Sequence, residues 1–173
     1  MQRQLHDYAI FVVEQGGSDK VRFNRGILLN VGFIEALKAY DFQCVIFYDV
    51  DKVPEDDRNF HGCPHNKAVR HMAAYQHRFE NQPFRDEYFG GVLAMNTIDV
   101  ETINGFSNIF FGYGFEDDEF LKRIKIGNLT IYREHPVHTK YWNLEHAGEG
   151  FLGTGFDWKW EKWVVNRVKS CVS

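Results

Sequence analysis

Two groups of acids in this chain are spaced for chemistry. The first closes the run Cys44-Val-Ile-Phe-Tyr-Asp49-Val50-Asp51. The residues before Asp49 form a short run, rich in aromatic and β-branched types and without Gly or Pro, so they read as a buried strand. At the carboxyl end of such a strand an open α/β sheet forms the crevice in which ligands bind. Two carboxylates placed there repel each other unless a cation relieves them, and carboxylate oxygens suit hard ions such as Mg²⁺ and Mn²⁺. An Asp-x-Asp in that setting is the chemistry of a metal-bridged diphosphate. The competing reading is a surface turn with two solvated acids.

The second group is Glu116-Asp117-Asp118-Glu119, at the head of a segment with helical character. The first turn of a helix favours acids through its dipole, which accounts for the charge. It does not account for the preceding residues 104–115, which hold three glycines and five aromatics. Large rings beside Gly suit a loop that closes over a ligand and excludes water. With Asp49 and Asp51, this pattern points to a transferase acting on a nucleotide sugar.

These residues need elements to hold them. Residues 8–14 read as a strand and 15–20 as a turn. Asn24 to Ala39 carries apolar residues near the helical period, and Phe42 to Tyr48 reads as the central strand. Residues 54–66 read as loop, 67–74 and 87–95 as strands, the latter kinked at Gly90-Gly91. Residues 97–103 and 117–126 read as helices and 129–133 as a strand. Strands alternating with helices predict an α/β fold. The 173 residues fit one domain, with a core that hides about 68–70% of the unfolded surface.

The formal net charge is −4 and the basic residues are scattered, which argues against nucleic acid and anionic membranes. Aromatics make up 16% of the chain, a share that suits a sugar-binding cleft as well as an aromatic core. No run reaches the roughly 18–20 apolar residues of a membrane span, and residues 1–7 are too polar for a signal peptide.

The chain resembles the β-1,4-galactosyltransferases, glycosyltransferase family 7, from about Phe23 to His146. The resemblance is carried by Phe23-Asn-Arg-Gly-Ile-Leu-Leu-Asn-Val-Gly-Phe33, Asp49-Val-Asp51, Tyr88-Phe-Gly-Gly-Val92, Ile103-Asn-Gly-Phe106 and Gly112-Tyr-Gly-Phe-Glu-Asp-Asp118. It implies a GT-A-like fold, a mixed and mostly parallel sheet flanked by helices, in a single catalytic domain over residues 1–173. Residues 23–146 form the family-like core, and 147–173 diverge. The implied activity is metal-dependent, inverting transfer of galactose from UDP-galactose to a sugar acceptor such as a terminal N-acetylglucosamine, in β-1,4 linkage. A binding or regulatory pseudoenzyme is the other reading, as is an N-acetylgalactosaminyl or xylose-acceptor branch of the family. The glycan acceptor would sit on a glycoprotein, glycolipid or proteoglycan.

The resemblance also assigns roles. Asp117 is the catalytic base, and Glu116, Asp118 and Tyr88 contact acceptor or donor sugar, Tyr88 crowding the N-acetyl group of a wrong donor. Phe23, Arg25, Asp49, Val50, Arg78, Gly91 and Tyr113 line the nucleotide-sugar site, although a solvated Arg78 is the plain alternative. Mn²⁺ or Mg²⁺ is held by Asp51 and His146, with Asn143 offering an amide oxygen. Two departures stand out. Tyr113 occupies a usual Trp, and Phe115 a usual Gly, adding bulk where the loop must move.

The family pairs cysteines at the positions of Cys44 and Cys63. Buried free thiols in a reducing compartment are the alternative, and Cys171 is left over. Family members are anchored in the Golgi by an N-terminal helix and carry a first nucleotide-binding strand with a Pro-Phe-Arg-x-Arg segment. Set against them, this chain is expected to be N-terminally truncated, a Golgi-lumen protein by resemblance that makes no membrane contact itself.

Overall fold

A computed structural model describes residues 7–16, 22–77, 80, 88–112, 114–144 and 165–166. The elements in chain order are β1 (Val12–Val13), α1 (Arg25–Ala39), β2 (Cys44–Tyr48), β3 (Lys52–Pro54), β4 (Ala68–His71) and β5 (Tyr75–Gln76). They continue with β6 (Val92–Asn96), α2 (Thr97–Thr102), α3 (Glu116–Ile126), β7 (Thr130–Tyr132), β8 (Lys140–Asn143) and β9 (Val165–Asn166). Among the described residues no helix is long and apolar enough to cross a membrane.

The main sheet runs β2-β6-β4-β7, and a smaller sheet runs β3-β8-β5. Alternation along the strands shows how the layers form. Val45 and Phe47 on β2, Val69 on β4, and Leu93 and Met95 on β6 pack with Val100, Ile103, Phe106, Phe120, Leu121 and Ile124 on the helical side. Ile46, Tyr48, Val92 and Ala94 pack on the opposite face with Met72 and Ala73, which follow β4, and with Tyr141 of the small sheet. A strand buried on both faces reads as a continuous apolar run, as β6 does.

That two-sided burial explains one difference from expectation. Among the described residues β2 lies at the edge of the main sheet, not its centre, because both faces are covered whichever position a strand holds. The sheet is mixed, but its ladders are mainly antiparallel. β2 and β4 both run antiparallel to β6, and only β4 with β7 is parallel in this sheet. Parallel neighbours need a long crossover, usually helical, and no helix is described between β2 and β6. Strands β3, β5 and β8, two to four residues each, were not expected. They carry too few residues for alternation to register. The expected strand over 8–14 shortens to Val12–Val13, and the one over 87–95 shifts to Val92–Asn96.

Helix α1 starts where the sequence says it should. Asn24 is its N-cap, its Oδ1 accepting from the Ile27 amide at 2.9 Å. Asn30, further along α1, donates to the Phe106 carbonyl and accepts from its amide, at 2.8 and 2.9 Å, which ties the aromatic loop to α1.

Candidate active site

Three element ends meet: the start of α1, the end of β2 and the start of α3. Arg25, the first residue of α1, joins the other two. Its Nε donates to Asp49 Oδ1 at 2.8 Å, and its Nη1 donates to Asp117 Oδ1 at 2.7 Å. Glu116 Oε1 lies 3.6 Å from the same nitrogen. The Nη2 also sits 2.8 Å from Asp49 Oδ1, yet makes no aligned hydrogen bond. Burial alone would lower the guanidinium pKa, but Asp49, Asp117 and Glu116 raise it further, so it is a permanent cation. A buried charge needs such partners.

Asp117 has the opposite tendency. Burial pushes its carboxyl up to about 7, Glu116 and Asp49 add to the rise, and Arg25 opposes it. A quarter of its side-chain surface (25%) stays open to solvent, so it can exchange protons. A carboxyl that titrates near neutral pH is suited to general base work. The acids of α3 do occupy its first turn, as the dipole argument requires. Glu119 is spent on Arg123, at 2.8 Å, whereas Glu116 and Asp117 face Arg25.

Gly90 sets the floor of the site. A Cβ there would stand 2.5 Å from Asp117 Oδ2 and 2.9 Å from the Tyr88 hydroxyl, so both side-chain ends close over Gly90 and would have to move for a larger residue. Gly91 has φ +91°, the left-handed region. Its carbonyl accepts from the Asp49 amide at 3.0 Å, fixing the strand end against the glycine pair.

A second network runs toward Asp51. Gln76 Nε2 donates to the Ala73 carbonyl at 3.2 Å and to the Tyr88 hydroxyl at 2.8 Å. A carbonyl only accepts, so this fixes the amide orientation. Gln76 Oε1 then accepts from Asn143 Nδ2 at 3.0 Å. Asn143 Oδ1 is left buried with no partner, and an orphaned amide oxygen suits a hard cation. Asn143 pairs with Lys52 across β3 and β8, and the Leu144 amide donates to the Asp51 carbonyl at 2.8 Å. Asp51 and Asn143 therefore offer oxygen donors from adjacent backbone, which fits Mn²⁺ or Mg²⁺. Among the described residues no three His, Cys, Asp or Glu side chains converge, and the third expected ligand, His146, lies outside them. Asp51 Oδ2 is already engaged by Lys52 Nζ at 2.7 Å.

Two supporting residues went unread in the sequence. His71 is fully buried, its Nδ1 accepting from Arg133 Nε at 3.0 Å while its Nε2 lies 3.0 Å from the Gly90 carbonyl. A guanidinium only donates, so His71 is neutral with its proton on Nε2. Burial, with Arg133 beside it, lowers its pKa to about 3. Arg133 Nη2 also donates to the Tyr88 carbonyl at 3.0 Å. The pair props up the Tyr88–Gly91 turn from below. Only the run of polar residues between apolar ones hinted at it.

Of the other expected residues, Phe23 is half-buried, and its carbonyl accepts from the Gly112 amide at 2.7 Å. Val50 is exposed at the turn after β2. Asp118 follows the base on α3, half-buried. Arg78, Tyr113, His146 and Cys171 lie outside the described residues. Cys44 and Cys63 are bonded, with Cα atoms 5.4 Å apart, so the strand end bearing Asp49 is tied to the following loop.

The family model described as the N-terminal region of glycosyl transferase group 7 matches residues 1–64. The one described as the N-terminal domain of galactosyltransferase matches residues 70–147. Beta-1,4-galactosyltransferase 5 of Danio rerio is 38% identical over 156 residues, 88% of this chain and 40% of that protein. Beta-1,4-galactosyltransferase 4 of Cricetulus griseus is 41% identical over 151 residues, 85% of this chain and 42% of that protein. The chain thus spans about two fifths of the curated relatives it matches (40% and 42%). A mutant of Drosophila beta-1,4-galactosyltransferase 7, solved with manganese, UDP-Gal and xylobiose, superposes with a TM-score of 0.59 at 32% identity. That match covers 66% of this chain and 47% of the other.

Proposed function

This chain belongs to the β-1,4-galactosyltransferases of glycosyltransferase group 7, and we propose that it moves galactose, with inversion, from UDP-galactose to a sugar acceptor such as terminal N-acetylglucosamine. The observation that carries this reading is Arg25, which holds Asp49 and Asp117 on one guanidinium. It sets the end of β2, which would face the diphosphate, beside a carboxyl with a pKa near 7.

The step needs one proton moved and one bond exchanged. Asp117 takes the proton of the acceptor hydroxyl as that oxygen attacks the anomeric carbon, and UDP departs from the opposite face. Arg25 holds the base in place and keeps a positive charge beside it. Glu116 and Asp118 flank the base and would accept hydrogen bonds from acceptor hydroxyls. Tyr88, over Gly90, limits the space at C2 of the donor sugar. A divalent ion, when bound, neutralises the leaving diphosphate; Asp51, Asn143 and His146 are the residues that would hold it. The Cys44–Cys63 bond supports an oxidising compartment such as the Golgi lumen.

A relative that binds without turnover is the second reading. It is favoured by Phe115, held at φ 74° directly before Glu116. Incubation with UDP-galactose and N-acetylglucosamine, with product mass read by mass spectrometry, tests the proposal. A disaccharide product absent in Asp117→Asn supports it. UDP binding by calorimetry with no product from any sugar acceptor supports the second reading instead.

A further inference from the structure

Lys52 is the first residue of β3 and directly follows Asp51. Only 6% of its surface is exposed, and a lysine is almost never that enclosed unless paired. The partner is Asp51, with Nζ to Oδ2 at 2.7 Å. The stem runs beneath the glycine pair: a Cβ at Gly91 would lie 3.5 Å from Lys52 Cε. Across the β3–β8 ladder stands Asn143, whose Oδ1 is buried and unpartnered. One small region therefore holds a carboxylate, an amide oxygen and a positive charge that is part of the chain.

We propose that the Lys52 ammonium is a built-in cation at Asp51, which opposes divalent-ion binding there and supplies part of the positive charge that a diphosphate needs. The inference rests on the galactosyl-transfer reading for the identity of ion and nucleotide. Its physical basis is local. A like charge a few ångströms away disfavours a second cation. The ammonium cannot retire cheaply either, since parting a buried pair strands a charge. A diphosphate arriving without metal, by contrast, meets one positive charge already in place.

Lys52→Met keeps the stem and removes the charge. Free Mn²⁺ measured by electron paramagnetic resonance gives the affinity of each protein, and calorimetry gives UDP affinity without metal. Lys52→Met should bind Mn²⁺ roughly tenfold or more tightly than the parent, the usual reach of a neighbouring charge. It should also bind metal-free UDP more weakly. If the variant is less stable because Asp51 has lost its partner, Mn²⁺ should raise its melting temperature more than the parent's. Equal or weaker Mn²⁺ binding, or equal thermal response to Mn²⁺, overturns the inference. If Asp51→Asn still weakens Mn²⁺ binding in that case, the donor-site reading stands while the inference falls. If no protein in the set binds Mn²⁺ or UDP, both fall.

Discussion

Arg25 and Asp117 are joined at 2.7 Å although 92 positions separate them in the chain. The pair places the start of α1 against the start of α3, and Asp49 on the same guanidinium brings in the end of β2. The arrangement is electrostatically unequal. Arg25 keeps its charge under all ordinary conditions, while burial holds Asp117 at the edge of ionisation. A carboxyl of that kind is half ionised near pH 7, and the share able to accept a proton grows as pH rises.

Asp117→Asn keeps the shape of the side chain and removes its proton affinity. Turnover should fall by about 10²–10⁴, the worth of a positioned general base, while UDP-galactose binding changes little. Steady-state rates beside calorimetric binding check this. A parent-like rate would place the base elsewhere.

The same variant should alter how stability depends on pH. Between 3.8 and about 7 the folded Asp117 holds a proton that the unfolded chain has lost. The folded state then binds more protons, so this group's contribution to stability falls as pH rises through that window. His71 works in reverse. Between about 3 and 6.5 the unfolded imidazole is protonated and the folded one is not, so its contribution rises with pH and is lost on acidification. The two slopes oppose each other where the windows overlap. Melting temperature of Asp117→Asn minus that of the parent should therefore climb from about pH 4 to about pH 7, by no more than about 1.4 kcal/mol per pH unit in free energy. A flat difference would mean that Asp117 titrates normally.

Cys44→Ala with Cys63→Ala removes a crosslink between residues 19 apart. The loop-entropy model assigns it about 3 kcal/mol. Urea unfolding of the oxidised parent against the double variant measures the loss, and adding reductant to the parent should reproduce it. No difference between oxidised and reduced parent would show that the bond constrains nothing.

Tyr88→Leu removes the ring and the hydroxyl that accepts from Gln76 Nε2, and on the proposed function this opens space at C2 of the donor. Transfer from UDP-N-acetylgalactosamine should rise relative to UDP-galactose, by about 10–200-fold at most, since pocket volume discriminates weakly. Loss of the Gln76 bond alone would lower both rates together, so their ratio separates donor selection from a folding defect.

The acids were legible because carboxylates on strand and helix ends carry a local signature: Asp49 and Asp51 close an apolar run, and Glu116 and Asp117 open a helix. The family resemblance gives Arg25 as a nucleotide contact, and its role as a clamp stays hidden in the sequence because its partners lie 24 and 92 residues away. Lys52 was invisible for a different reason. A lysine after an acid looks like a solvated surface pair, and only the glycine turn above it and β8 beside it enclose it. The place of β2 in the sheet is not legible, because its apolar run reflects cover on both faces rather than a central position.

Phe115 offers the sharpest test of backbone strain next to the base. Its φ is 74° and ψ −21°, in the left-handed region, and it caps α3 without a side-chain hydrogen bond. For an L-residue with a Cβ that conformation costs about 1–2 kcal/mol, a cost glycine does not carry. The ring returns little, because 71% of the residue's surface is exposed. Its carbonyl must stay where it is, since it accepts from the Glu119 amide at 2.9 Å and begins the helix that carries Asp117. Phe115→Gly keeps that carbonyl and removes the strain. The variant should melt higher, by about 2–4 °C for each kcal/mol relieved in a chain of this size. Phe115→Ala is the control: it deletes the same ring but keeps the Cβ, so it should gain nothing. If Ala raises the melting temperature as much as Gly, the ring and not the backbone was at fault. If neither does, the left-handed conformation at Phe115 costs nothing and the loop before the base carries no strain.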